Sequence, residues 1–456
     1  MPARPTRNRR YGALDREIFA LALPTFATLV TEPLLLIADS AFIGHLGTDQ
    51  LAGLGIAANL IGIVVGLCIF LAYGTTASVA RHVGAGDGKG ALVQGVDGVW
   101  LAVLIGVFVT VLGVVMSGPL VGVFGAGPTV EGFATTYLRI AWLGTTPLLV
   151  MLATTGVLRG LQDTRTPLVV AVLGNGVNIV LNLLLVYGVG SFDGLGIAGS
   201  AIGTVLAQAL SAVALLLVVV RGARAAGAPL APDLPGIRSA ARSGVPLVIR
   251  TVTLRASLLV TTIAVAVGAA GPDRAVALAT HQIAITLWTF LAFVLDAIAI
   301  AAQAITGRYL GAGDVAGTRE VTQRMVQWGV VSGVVCGVLL AAAAPFLGRL
   351  FSGDPQVHDL LVPVLVVAAL GQPIAGVVFV LDGVLIGAGD GRYLASAGLV
   401  VLAAYTPAAF AAAYVTGGVV AVWIAFAAVF MGARFVVLTR RARGDRWMVT
   451  GPTLVR

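Results

Sequence analysis

A few polar side chains interrupt the apolar runs of this chain in positions that could hold an ion. Asp39 closes the run from about residue 17 to 43, Asn175, Asn178 and Asn182 lie in the run 167–188, and Ser200 and Thr204 open the run 195–220. The asparagines are spaced i, i+3 and i+7, which sets three amides on one helical face. At about 1.5 Å per residue, Asp39 lies roughly 8 Å in from Gly44 and Asn182 roughly 9 Å in from Gly188. Ser200 and Thr204 enter at a comparable depth, so three runs bring oxygens and amides to one level. An ionisable group inside such a run is costly and marks an ion or substrate path. Interhelical hydrogen bonding is the other use of the same asparagines. Glu32, nearer the middle of the first run, is a second candidate proton carrier with Arg139 as its candidate partner. Pro24 and Pro33 each remove a backbone hydrogen bond and are read as helix-bending positions.

The second half carries a different set. Arg250 and Arg255 fall in the run 244–268, Asp296 in the run 275–306 and Asp382 in the run 359–386. Two acids and two bases at similar depth form a candidate polar network, either as structural ion pairs or as a coupling element. Arg250 is the one best placed to snorkel to an interface instead. His281 and Gln282 read as satisfied polar residues, and Gln208, Gln303 and Gln372 as candidate cavity-lining groups. Cys68 and Cys336 stand alone inside apolar runs, which fits packing and neither a disulfide nor a metal site. Gly84 to Gly90 lacks the spacing of a phosphate loop and has no Ser or Thr after Lys89. No HExxH or GxSxG occurs, so an enzyme is not expected, and neither is a cofactor beyond a coupling ion, H⁺ or Na⁺.

These residues must be positioned by membrane helices. Hydrophobic residues make up 58% and charged residues 11% of the chain, and the mean hydropathy is +1.01; a water-soluble domain carries about 25% charged residues. Besides the runs at 17–43, 51–77, 94–116, 133–157, 167–188 and 195–220, six more lie at 244–268, 275–306, 322–347, 359–386, 393–414 and 417–438, each near the roughly 20 residues that span a bilayer. The first run is too long for a removable signal peptide, whose apolar core is about 7–15 residues. The net charge of +8 is scattered between the runs, so it reads as topology and not as a nucleic-acid surface.

Three motifs recur after 227 residues: Leu51-Ala52 with Ile56-Ala57 as Leu278-Ala279 with Ile283-Ala284, Gly84-Ala85-Gly86-Asp87 as Gly311-Ala312-Gly313-Asp314, and Gly156-Val157-Leu158 with Gly160 and Asp163 as Gly383-Val384-Leu385 with Gly387 and Asp390. A repeat of that length is a bundle of helices, and an even number of spans per copy makes the repeats parallel. The expected organisation is an all-α polytopic membrane protein with twelve transmembrane helices in two pseudo-symmetric six-helix lobes. The divisions are a basic amino terminus (1–16), a first lobe (17–220), an inter-lobe linker (221–243), a second lobe (244–438) and a basic tail (439–456). Basic residues at both termini and in the linker place those segments in the cytoplasm and the chain in the cytoplasmic membrane.

Four segments carry a family resemblance: LALP at Leu21 to Pro24, TEPLLLIADSAFIGHLG at Thr31 to Gly47, LATHQIA at Leu278 to Ala284 and LDGVLIGAGD at Leu381 to Asp390. Together they resemble the MATE (multidrug and toxic compound extrusion) family, specifically its DinF-like branch, over nearly the whole chain. The resemblance implies an outward-open two-lobe fold and efflux of drugs or toxic metabolites driven by inward H⁺ or Na⁺. It implies that Asp39 is the coupling aspartate, that Pro24 is the proline where the first helix bends, and that Asn178 belongs to the same site. Asn182 stands where the family often has an aspartate, so the site keeps one carboxylate, which favours H⁺. The expected activity is an H⁺-coupled antiporter of small amphiphilic or cationic organic compounds, acting as a monomer in the lipid bilayer without nucleic acid. The alternatives are a Na⁺-coupled exporter of the family and a flippase of lipid or lipid-linked precursors.

Overall fold

A computed structural model describes residues 7–269 and 273–453. Arg4 of the expected basic amino terminus and the last three residues of the expected tail lie outside the described residues. Twelve helices among the described residues are long and apolar enough to cross a membrane. In chain order they are α1 (Arg7–Gly44), α2 (Thr48–Gly84), α3 (Gly88–Gly122), α4 (Pro128–Gly160), α5 (Arg165–Tyr187) and α6 (Ile197–Ala225). The second set is α7 (Leu234–Gly268), α8 (Asp273–Gly311), α9 (Val315–Phe351), α10 (Pro355–Gly387), α11 (Gly391–Val415) and α12 (Val419–Arg443). The described residues contain no strand, only an isolated bridge between Val189 and Phe192. The fold is all-α and polytopic, as the apolar runs require. Most helices outrun their apolar core, because a helix goes on until a cap or glycine stops it and not where hydropathy falls.

The repeated motifs are the stops and the contacts of the fold. Gly86 and Gly313 both have φ 75°, in the left-handed region that favours glycine, and end α2 and α8. The following Asp87 and Asp314 then start α3 and α9, accepting from Gly90 N at 2.8 Å and Gly317 N at 2.7 Å. The third motif repeats a close helix crossing. A Cβ at Gly156 of α4 would meet Ala72 O of α2, and a Cβ at Gly383 of α10 would meet Ala299 O of α8. Only glycine lets these backbones approach so closely.

Contacts divide the chain into Ala27–Gly244 and Met1–Phe26 with Val245–Arg456. The division falls inside α1, unlike the expected first lobe of 17–220. The physical reason is a polar anchorage of the first turns of α1 on α8 and α9. Asp15 takes two hydrogen bonds from Arg324, at 2.6 and 2.7 Å, and one from Trp328 Nε1 at 2.8 Å. Glu17 pairs with Arg308, and Phe19 packs edge-on against the Trp328 ring. The expected linker 221–243 is also shorter as a connection. α6 runs to Ala225 and α7 starts at Leu234, because Asp233 caps α7 by accepting from Gly236 N at 3.1 Å.

Within Ala27–Gly244, one core gathers Ile43, Leu54, Val121, Tyr137, Leu138, Trp142, Val186 and Ile197. It closes the end of this unit where α1 and α5 terminate, and the candidate site borders it. Within the other unit, α12 opens into a π-helical turn over Phe426–Met431. That turn carries Phe426 and Phe430 into an aromatic cluster with Tyr405, Trp423 and Trp288.

Candidate functional site

Each of the three asparagines of α5 meets a different partner. Asn175 Nδ2 donates to the Thr31 carbonyl of α1 at 2.9 Å, Asn178 Nδ2 donates to Thr204 Oγ1 of α6 at 3.0 Å, and Asn182 Nδ2 donates to Asp39 Oδ1 of α1 at 2.6 Å. Asn182 Nδ2 also reaches Asn178 Oδ1 at 3.0 Å, so the two amides and the carboxylate form one chain of hydrogen bonds. The i, i+3, i+7 stripe is therefore turned toward α1 and α6. The group is buried: Asp39 is 5% exposed, Asn182 and Ser200 0%.

Two features give the group its chemistry. No ion pair is found for Asp39 among the described residues; its partner is a neutral amide. Among the described residues, Asn182 Oδ1 is buried with no hydrogen-bond partner, and the buried Ser200 Oγ has only the approaching Tyr137 hydroxyl. Buried oxygens left without a donor are uncommon in folded proteins and call for a proton, a cation or water. Gly203 on α6 makes room for this arrangement, since a Cβ there would sit 2.5 Å from Asn182 Oδ1. The sequence reading missed Tyr137 of α4, which is buried with its hydroxyl approaching Thr204 and Ser200 and with Asp39 nearby. Its signal was a lone tyrosine in an amphipathic stretch, indistinguishable from a core residue until α4 was placed.

Glu32 and Arg139 are not brought together. Both are exposed, and neither an ion pair nor a hydrogen bond joins them among the described residues, so the expected pairing is corrected. α1 remains helical through both Pro24 and Pro33.

The second-half network is assembled differently from its expectation. Asp382 of α10 pairs with Arg250 of α7 and, at 3.0 Å, with Arg434 of α12. Arg250 therefore turns inward instead of snorkelling. Arg434, absent from the sequence reading, is carried in by the helix that follows the π-turn, and its guanidinium also lies over the Phe379 and Phe430 rings. Asp296 lies within electrostatic range of Arg434, whereas Arg255 is exposed and takes no part. A cavity of ≈ 20 Å³ beside Arg250, Ser257, Asp382 and Arg434 is sized for water and not for an organic molecule.

The profile of the MatE family matches residues 24–184 and 251–415, one match in each repeat. The chain belongs to the MATE family. Its members are transporters and not enzymes, and this chain is a membrane transporter of that family. Among relatives, it is 31% identical to Protein DETOXIFICATION 44, chloroplastic, of Arabidopsis thaliana, covering 83% of this chain and 73% of the relative. It is 28% identical to DNA damage-inducible protein F of Escherichia coli (strain K12), over 82% of this chain and 81% of the relative, consistent with the DinF-like branch. The probable multidrug resistance protein NorM of Thermotoga maritima is 26% identical, over 83% and 81%. In fold, the MATE chain matches the Vibrio cholerae MATE transporter VcmN in its bent form, with a TM-score of 0.85 at 20% identity over 96% of this chain and 99% of that one.

Proposed function

We propose that this MATE transporter is an H⁺-coupled antiporter that exports small amphiphilic or cationic organic compounds, with Asp39 as the coupling carboxylate. The observation that carries the reading is the buried Asp39 held by a neutral amide, with no ion pair to a cationic side chain among the described residues. Such a carboxylate gains from a proton, and the gain changes as the surrounding helices move. Protonation removes the charge that Asn182 Nδ2 is drawn to, leaves its bond to Asn178 Oδ1 as the stronger of the two it now makes, and weakens the charge-assisted tie between α1 and α5. The segment of α1 around Pro33 then rearranges, Pro24 and Pro33 being the places where its backbone ladder is already broken. An ion drives export only if it binds the two conformations with different affinity. The orientation that goes with this reading has the termini in the cytoplasm and the chain in the cytoplasmic membrane.

A second reading keeps Asp39 and exchanges the ion for Na⁺. What favours it is the buried oxygens Asn182 Oδ1, without a partner among the described residues, and Ser200 Oγ, which with Asp39 supply the hard ligands Na⁺ takes. Efflux from proteoliposomes under separately imposed H⁺ and Na⁺ gradients decides between them. Efflux driven by the H⁺ gradient alone supports the first reading, and a strict requirement for Na⁺ supports the second. Movement of labelled lipid without efflux of organic cations would make the protein a flippase.

A further inference from the structure

The described residues include a further buried carboxylate besides Asp39 and Asp382, and its surroundings are more deprived. Asp97 sits on α3, nine residues after Gly88, and is 2% exposed. Its Oδ2 has no hydrogen-bond partner, and no ion pair reaches the residue among the described residues. A buried carboxylate ordinarily takes hydrogen bonds or a cationic side chain, because an uncompensated charge is expensive away from water.

What faces Asp97 is another acid. A Cβ at Gly236, in the first turn of α7, would collide with Asp97 Oδ2 and lie 3.0 Å from Asp233 Oδ2, so both carboxylates converge on one point of the chain. The amino end of α7 favours negative charge there. Its free donor at that point, Gly236 N, is already given to Asp233 Oδ2 at 3.1 Å. The connection is held in place independently, Trp100 Nε1 of α3 donating to the Leu230 carbonyl at 3.0 Å. Basic residues occur on the elements packed against α3: Arg81 and His82 on α2, Arg159 on α4, Arg221 and Arg224 on α6. Arg238 and Arg242 follow on α7 itself. None of them makes an ion pair with Asp97 or Asp233 among the described residues. Glu131 and Arg139 of α4 belong to its first half, well before Val157, which packs against α3 at Gly95.

We propose that Asp97 and Asp233 form a binding site for one monovalent cation, H⁺ or Na⁺, between α3 and the start of α7. Occupied by a proton, the pair carries one negative charge instead of two, and the proton lies on a carboxylate oxygen facing the other acid. Occupied by Na⁺, the two carboxylates supply its charged ligands. Asp233 is exposed and Asp97 is not, so the ion enters from the Asp233 side. The occupied site clamps the connection before α7 onto α3, and the empty one repels it. The site does not depend on the reading given to Asp39.

The test is carbodiimide labelling of the full chain in liposomes, which modifies protonated carboxyls in apolar surroundings, with the modified peptide identified by mass spectrometry. With a proton as occupant, Asp97 is labelled at about pH 6, and labelling at about pH 7 falls at least about threefold in Asp233→Asn, because the second acid no longer holds the proton there. With Na⁺ as occupant, replacing choline by Na⁺ at fixed pH lowers labelling of Asp97 at least about threefold, and Asp233→Asn removes that protection. Labelling that ignores both Na⁺ and Asp233 overturns the proposal. So does absence of labelling together with a melting temperature that responds to pH and Na⁺ identically in wild type and Asp97→Asn.

Discussion

Asn182 holds Asp39 with a 2.6 Å hydrogen bond from Nδ2 while its own buried Oδ1 has no donor among the described residues. One amide therefore both restrains the carboxylate and leaves an acceptor open beside it. That asymmetry is what the proposed coupling role of the pair rests on.

Asp39→Asn is expected to lower gradient-driven efflux at least about tenfold, within the range by which coupled sites influence one another. The amide that replaces the carboxylate still offers an oxygen to Asn182 Nδ2, so folding is retained. The measurement is efflux from proteoliposomes beside the melting temperature of the purified variant. Undiminished coupled transport would remove Asp39 from the mechanism.

Asn182→Asp puts a second carboxylate against the first and takes away its hydrogen-bond donor. Like charges at that distance force the two groups to titrate as a coupled pair, one of them retaining its proton to higher pH. The variant should gain Na⁺ binding, seen as a Na⁺-dependent change in tryptophan fluorescence at fixed pH. A wild-type protein that already binds Na⁺ tightly, with no change in the variant, would show that neutral oxygens around Asp39 suffice and would favour the Na⁺ reading.

Arg324→Lys should loosen the first turns of α1 from α9. Lysine cannot reproduce the two hydrogen bonds that Arg324 gives Asp15, nor the stacking of its guanidinium over Tyr11 and Trp328. Both side chains are 24% exposed, which limits the cost to about 1–2 kcal/mol. Hydrogen exchange at residues 12–26 should rise with little change in the span bearing Asp39. Equal exchange in the two proteins would mean that apolar contacts alone hold this segment.

Gln162→Gly is expected to be neutral or stabilising by up to about 1 kcal/mol. Gln162 is the one non-glycine residue with positive φ among those described, at 66°, and it closes α4 where Gly389, at 74°, closes α10. The two positions correspond in the repeat, and both are followed by an aspartate whose N–H returns to the helix, to Leu158 O at 2.8 Å and Leu385 O at 2.9 Å. The left-handed conformation costs a side chain about 1–2 kcal/mol, partly offset by the lower entropy of the unfolded chain. A clear fall in melting temperature would mean that the Gln162 side chain contributes more than its backbone conformation costs.

The sequence alone determined the twelve helices, their repeat and the stripe of asparagines, because each is written in local terms: the length of an apolar run, a fixed offset, a spacing of three and four residues. It also singled out Asp39, since one acid in an apolar run is visible without knowing its neighbours. Tertiary structure decided what those groups touch. Asp39 and Asn182 are 143 residues apart, and nothing local says that the third asparagine, and not the first, meets the carboxylate. Arg434 reaches Asp382 from the helix that follows a π-helical turn, and the first turns of α1 are held on α8 and α9 by Arg308 and Arg324, whose acids lie 291 and 309 residues away in sequence. Asp97, an acid near the edge of the run 94–116, is as legible as Asp39 by the same rule. What only the tertiary structure decided is the second acid that faces it, brought from the connection before α7 by contacts that no spacing encodes.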